Sequence, residues 1–149
     1  MKMEILMDEY TQFMELMGDK VTQVIEKPRR LYFVVSNENI QEIARYLFVT
    51  LGCRLSTATA QETYHGLEIL YHFSHDASGC YYCPRVVLTD KKNPKVNTIT
   101  DIVTGALWIE REIFDLWGIE FVGHPRMEQL LTLNSPENPD RPLRFGRSL

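Results

Sequence analysis

Between Ile102 and Trp117 the apolar residues do not keep to one side. Ile102, Ala106, Ile109, Ile113 and Trp117 make a stripe at helical spacing, and Val103, Leu107 and Phe114 widen it beyond the single face that a surface helix buries. A helix of this kind contacts two surfaces, so the chain has to provide a layer on one side of it and further structure on another. Gly118 stands where a left-handed residue ends a helix. Thr98 and Asp101, three apart in an acidic variant of the capping-box spacing, predict the helix start.

The rest of the chain supplies that layer. Leu6, Tyr10, Phe13, Met14 and Met17 predict a first amphipathic helix, closed by Gly18. Val21 to Glu26 and Leu31 to Val35 are β-prone runs separated by Lys27-Pro28-Arg29-Arg30, a charged turn, and read as a hairpin. Ser36 or Asn37 can cap a second helix whose Ile40, Ile43, Ala44, Leu47 and Leu51 share a face before Gly52. Leu67, Ile69, Tyr71 and Phe73 alternate with Glu68, Leu70, His72 and Ser74, the period of a half-buried strand. Tyr81 to Thr89 is expected to pair back on it after the turn at Asp76 to Gly79, and a further strand fits near Cys53 to Thr59. These elements predict an α+β fold with a mostly antiparallel sheet and helices packed on one face. Residues 1–125 read as the domain, and residues 126–149, unpatterned and spaced by prolines, as an extended C-terminal docking arm.

A chain of 149 residues buries about 70% of its unfolded surface and needs neither disulfides nor a structural metal to fold. Its longest apolar run, Leu31 to Val35, is far below the ~20 residues of a membrane span, so no direct membrane insertion is expected. Glu4, Asp8 and Glu9 stand where a signal peptide would be basic or uncharged, which predicts a cytoplasmic address. The net charge of −4, without a run of lysines or arginines, makes nucleic acid an unexpected partner. The three cysteines fit thiols in a reducing compartment. Cys80-Tyr81-Tyr82-Cys83-Pro84 has the spacing of a zinc, cluster or redox pair, but a second pair is missing and the flanks are strand-like, so the motif reads chiefly as two cysteines of a hairpin. An independent redox or metal-binding protein using Cys80 and Cys83 is the alternative. His65, His72 and His75 share no helical face and read as ordinary histidines rather than a metal trio.

Glu110-Arg111-Glu112 and Asp115 form the densest charge group, in the middle of the most apolar helix. Consecutive helical residues point about 100° apart, so Glu110 and Glu112 cannot face one another as the carboxylates of a hydrolase would. No residue is assigned as catalytic, cofactor-binding or metal-binding. Arg111 and Asp115 are spaced to pair along the helix, and Arg111 is expected to bridge Glu110, Asp115 or a partner's carboxylate. Solvated ridge and protein interface are equally compatible with charges set among Trp108, Phe114 and Trp117.

The stretch from Trp108 to Pro125 closely resembles the signature of the C-subunit family of NADH dehydrogenase. Glu110, Arg111, Glu112, Asp115, Gly118, Ile119, Phe121, Gly123, His124 and Pro125 match it, and Trp108 holds the aromatic position two residues before the first glutamate. A weaker likeness runs from about residue 30 to residue 145, through Tyr71-His72-Phe73 and Asn97 to Asp101. The resemblance implies a hydrophilic subunit of respiratory complex I or of an energy-converting membrane-bound hydrogenase, without a cofactor of its own. Iron–sulfur centres, and nickel–iron or NADH and quinone sites, would lie on partner subunits. It also implies neighbours resembling a hydrogenase large subunit and an iron–sulfur small subunit, and a peripheral place at the inner membrane reached through them. Its interface residues would be those of the signature together with Pro142, Leu143 and Arg144. Glu128-Gln129 replaces a pair of arginines common in the family, the tryptophan of the following loop is absent, and the tail element survives as Pro142-Leu143-Arg144. With the compact length, these departures lean towards the hydrogenase kind over complex I.

Overall fold

The computed structural model describes residues 2–131 and 142–144, and the side chains from Tyr10 onward. Its elements are α1 (Lys2–Met17), a short 3-10 turn, β1 (Val21–Lys27), β2 (Arg30–Val35), α2 (Ile40–Arg45), β3 (Arg54–Thr63), β4 (Gly66–His75), β5 (Cys80–Leu88), β6 (Lys95–Asn97), α3 (Ala106–Trp117) and β7 (Glu120–Val122). Five strands form one sheet in the order β1-β2-β5-β4-β3, and β6 with β7 forms a small second sheet. The pairs β1–β2 and β4–β5 are antiparallel, as the alternation and turns predict, and β3, longer than the strand expected near Cys53 to Thr59, pairs antiparallel with β4. The central pair β2–β5 is parallel, which joins the two hairpin units, and so is β6–β7.

One face of the sheet is apolar because strand side chains alternate. Leu31, Phe33 and Val35 of β2, Leu67, Ile69, Tyr71 and Phe73 of β4, and Cys80, Tyr82 and Val86 of β5 are buried there. Onto this face α1 brings Phe13, whose ring lies 4.9 Å from that of Phe33 and 5.6 Å from that of Tyr82. From α2 come Ile40, Ile43 and Ala44, all buried. A π-turn, Tyr46–Thr50, continues α2 and keeps Leu47 in the core before Gly52 turns the chain out at φ +74°. Asn37 does not cap α2: its Oδ1 accepts the Asn97 N–H at 2.6 Å, and Asn39 is the residue at the helix start.

The third helix starts later than its capping-box spacing predicts. Residues 98–105 are turns and irregular backbone, and α3 begins at Ala106. Thr98 is drawn instead into the small sheet, its N–H donating to Val122 O at 2.9 Å, so Ile102 lies before the helix rather than on its stripe. Gly118 ends α3 as expected, at φ +73°, with its N–H on Phe114 O. Of the expected docking arm, residues 132–141 and 145–149 lie outside the described residues.

Candidate functional site

The charges of α3 are neither a solvated ridge nor spare. Glu110 is 1%, Arg111 7% and Asp115 5% exposed, and each is bonded within the chain, while Glu112 alone of the group faces solvent. Glu110 Oε1 accepts the Ile99 N–H at 2.9 Å and Oε2 accepts the Thr98 hydroxyl at 2.5 Å. Thr98 Oγ1 also accepts the Thr100 N–H and lies 2.9 Å from Thr100 Oγ1. The carboxyl thus anchors the turn that precedes the helix, which is where the capping-box threonine has gone. Burial pushes the Glu110 carboxyl up to about 7, with Asp101 adding to the rise, against the lowering effect of the Thr98 and Ile99 bonds. The same burial, with the Glu110 charge nearby, pushes the Tyr71 phenol up as well.

Arg111 bridges no carboxylate of the helix, contrary to the pairing its spacing suggests. Its Nε donates to Glu128 O at 3.1 Å and its Nη2 to Gln129 O at 2.7 Å, with the guanidinium 5.3 Å from the centre of the Trp108 ring. Asp115 takes up the same segment from its other end: Oδ2 accepts the N–H of Leu130 at 3.2 Å and of Leu131 at 2.7 Å. One turn of helix therefore holds residues 128–131 by two carbonyls and two amides, the donor side chain meeting acceptors and the acceptor meeting donors. Backbone that runs outside any sheet is fixed this way without a ladder.

The remaining signature residues complete the clasp. After Gly118 the chain enters β7, where Phe121 is buried and its N–H meets Met127 Sδ at 3.4 Å. Gly123 takes φ +90°. His124 Nε2 lies 3.0 Å from Leu107 O and Nδ1 accepts the Arg126 N–H at 2.9 Å, so the ring carries its proton on Nε2 and ties the turn at exposed Pro125 back to α3. Leu143 N–H donates to Leu116 O at 3.1 Å beside Pro142. Arg144 is buried, donating from Nη2 to Lys91 O, with Nε 3.8 Å from Glu62 Oε1. Thr98, Thr100, Met127, Glu62 and Lys91 are the members of this arrangement that sequence reading missed; only Thr98 carried a signal, and it pointed to a helix cap.

Besides Glu112, Arg126 and Glu128, three large apolar side chains stay outward here. Trp108 is 62% exposed over the Arg111 guanidinium, Leu131 62% and Leu143 50%, each tied to α3 through the bonds above. Cys80 and Cys83 are brought to opposite faces of β5: Cys80 joins the helix-side core, and Cys83 lies 3.8 Å from His72 Nδ1. Burial pushes the Cys83 thiol up to about 11, the wrong direction for a nucleophile or metal ligand. His75 Nδ1 meets Ser78 Oγ at 2.7 Å, and among the described residues no three His, Cys, Asp or Glu side chains are placed to hold a metal.

The α+β fold belongs with a known class of respiratory-chain proteins. Residues 33–146 match the family described as respiratory-chain NADH dehydrogenase, 30 Kd subunit, and the chain belongs to it. The NADH-quinone oxidoreductase C subunit of Ruegeria pomeroyi is 33% identical over 106 residues, covering 66% of this chain and 51% of that protein. The C/D subunit of the same enzyme in Bacteroides thetaiotaomicron is 37% identical over 75 residues, 50% of this chain and 14% of that protein. This chain thus spans about half or less of the length of these relatives. Two solved structures share the fold: a trypsin-resistant fragment of Nqo5 (TM-score 0.64, 22% identity, 85% of this chain and 99% of that one), and a chain of an archaeal membrane-bound sulfane sulfur reductase (TM-score 0.77, 24% identity, 88% and 78%).

Proposed function

We propose that the chain is a cofactor-free structural and assembly subunit of a membrane-associated, multisubunit oxidoreductase. Its neighbours in this reading are a hydrogenase-large-subunit-like chain and an iron–sulfur small subunit, which carry the redox centres. The observation that carries it is the use made of the signature: Glu110, Arg111 and Asp115 are engaged by the chain's own backbone, and the side chains they leave outward are Trp108, Leu131 and Leu143. A tryptophan stacked on an arginine is a pair that interfaces enrich at their centres. Relatives named as a C/D subunit add support, since the region like this chain there forms part of one longer polypeptide. Attachment to the membrane runs through partners on its cytoplasmic side in this reading; among the described residues no helix is long and apolar enough to cross a membrane. An energy-converting hydrogenase is favoured over complex I by the altered residues Glu128 and Gln129, a distinction that the composition of the purified complex decides.

Affinity purification of the tagged chain from its own host tests the reading. The expected result is recovery with hydrogenase-like and iron–sulfur subunits, reduced by Trp108→Ala while the chain stays folded. A chain that purifies alone would overturn it.

A further inference from the structure

On the face of the sheet turned away from the helices, one row of residues crosses all five strands. Lys27 stands opposite Arg30, Arg30 opposite Tyr81, Tyr81 opposite Ser74, and Ser74 opposite Arg54. Arg54 is matched by Asp76 at 3.2 Å. Lys27 and Arg30 are not matched, although like charges directly opposite in a ladder are destabilising. Both are exposed, as is Arg29 at the hairpin tip, and among the described residues none of the three forms an ion pair. Lys20, Arg85, Lys95 and Arg126 each have a carboxylate, and the other cations without one among the described residues, including Arg45, Lys91 and Lys92, lie outside this row. The unmatched cations of the row lie on aromatic rings: Lys27 Nζ is 5.8 Å from the Tyr32 centroid and Arg30 Cζ 5.1 Å from that of Tyr81. Beside them Ile25, opposite Tyr32, is half exposed.

We propose that this end of the sheet docks an acidic segment of a neighbouring protein subunit, whose carboxylates pair with Lys27, Arg29 and Arg30 and whose apolar groups lie on Tyr32 and Ile25. The inference rests on the reading of the chain as an assembly subunit. Charge complementarity selects the partner: three uncompensated cations gathered at one edge of a chain of net charge −4 attract carboxylates locally. A polyanion is a poorer fit, because its affinity grows with the number of phosphates neutralised while the acidic remainder repels it. Tyrosine and arginine side by side are also what protein interfaces enrich.

Carbodiimide, which joins lysine amines to carboxylates in contact, tests this on the complex purified from the host. The expected result is a link from Lys27 to an aspartate or glutamate of another subunit, lost in Lys27→Arg, which keeps the charge but not the amine. Lys27→Glu with Arg30→Glu should lower recovery of that subunit about tenfold at physiological salt, with Lys92→Glu, an exposed control, leaving it unchanged. Absence of the Lys27 link in a complex that cross-links elsewhere, or equal recovery with the folded double variant, overturns the proposal and leaves the assembly reading intact. So does a double variant that keeps its subunits but no longer binds vesicles of phosphatidylglycerol and phosphatidylcholine, which would assign the row to a lipid surface. A chain recovered without any partner removes both readings.

Discussion

Replacing Glu110 by glutamine isolates the cost of keeping a carboxyl in the core. The side chain is 1% exposed, and its carboxyl titrates at about 7 in the fold against an ordinary 4.5. Because the folded value is raised, its contribution to stability is fully present below the unfolded value and is lost as pH rises through about 7. At ~1.4 kcal/mol per unit, wild-type stability should fall by roughly 2–3 kcal/mol from this group alone between about pH 5 and about pH 8. Glutamine has no such titration. Its carbonyl can still accept the Ile99 N–H, and its amide can donate to Thr98 Oγ1, freeing the Thr98 hydroxyl to turn to Thr100. Glu110→Gln is therefore expected to be close to neutral near pH 5, where both side chains are uncharged in the fold, and stabilising by roughly 2–3 kcal/mol near pH 8. Urea unfolding of both proteins at the two pH values and equal ionic strength measures the difference, in which all other titrating groups cancel. Parallel pH dependences of wild type and variant would refute the desolvated carboxyl, and with it the placement of Glu110 under the Thr98 turn.

Arg111→Ala removes two charge-assisted bonds to Glu128 and Gln129 and the support of Trp108, and should cost the chain's own stability about 2–4 kcal/mol by chemical denaturation; a loss below about 1 would mean that the guanidinium is solvated. Gly118→Val places a β-branched residue at φ +73° and should cost more than ~1 kcal/mol in the same assay, no change meaning that α3 ends elsewhere.

The strands that face the helices were legible because a period of two with one apolar face is written into the chain: Leu67, Ile69, Tyr71 and Phe73 are all buried on one side of β4. What joins the hairpin units was not. The parallel β2–β5 pair is set by which surfaces α1 and α2 cover together, and neither strand carries a local mark of its partner. The start of α3 failed for a related reason. Thr98 has the local chemistry of a cap, but β6 and β7 claim its backbone and Glu110 its hydroxyl, so a tertiary pairing overrides the local signal. Likewise the chain shows Lys27-Pro28-Arg29-Arg30 only as a charged turn, and that Lys27 and Arg30 continue a row through Tyr81 and Ser74 to Arg54 appears only through register.

The helix charges show most clearly where pattern reading stops. Counted against other residues of the same helix, Glu110, Arg111 and Asp115 look like a ridge for solvent, the ordinary place for such side chains. Their partners are backbone groups before and after the helix, at Ile99 and at residues 128–131, which a helical wheel does not contain. Those partners also bear on Glu128 and Gln129. Arg111 takes their carbonyls and the Glu128 side chain turns away to Arg126 at 3.0 Å, so the clasp holds residues 128 and 129 by their backbone and does not depend on which side chains they carry. The reverse does not hold at positions 110, 111 and 115. There each side chain reaches a specific backbone group, and removing it leaves the Ile99 amide, the Glu128 and Gln129 carbonyls or the Leu130 and Leu131 amides without that bond.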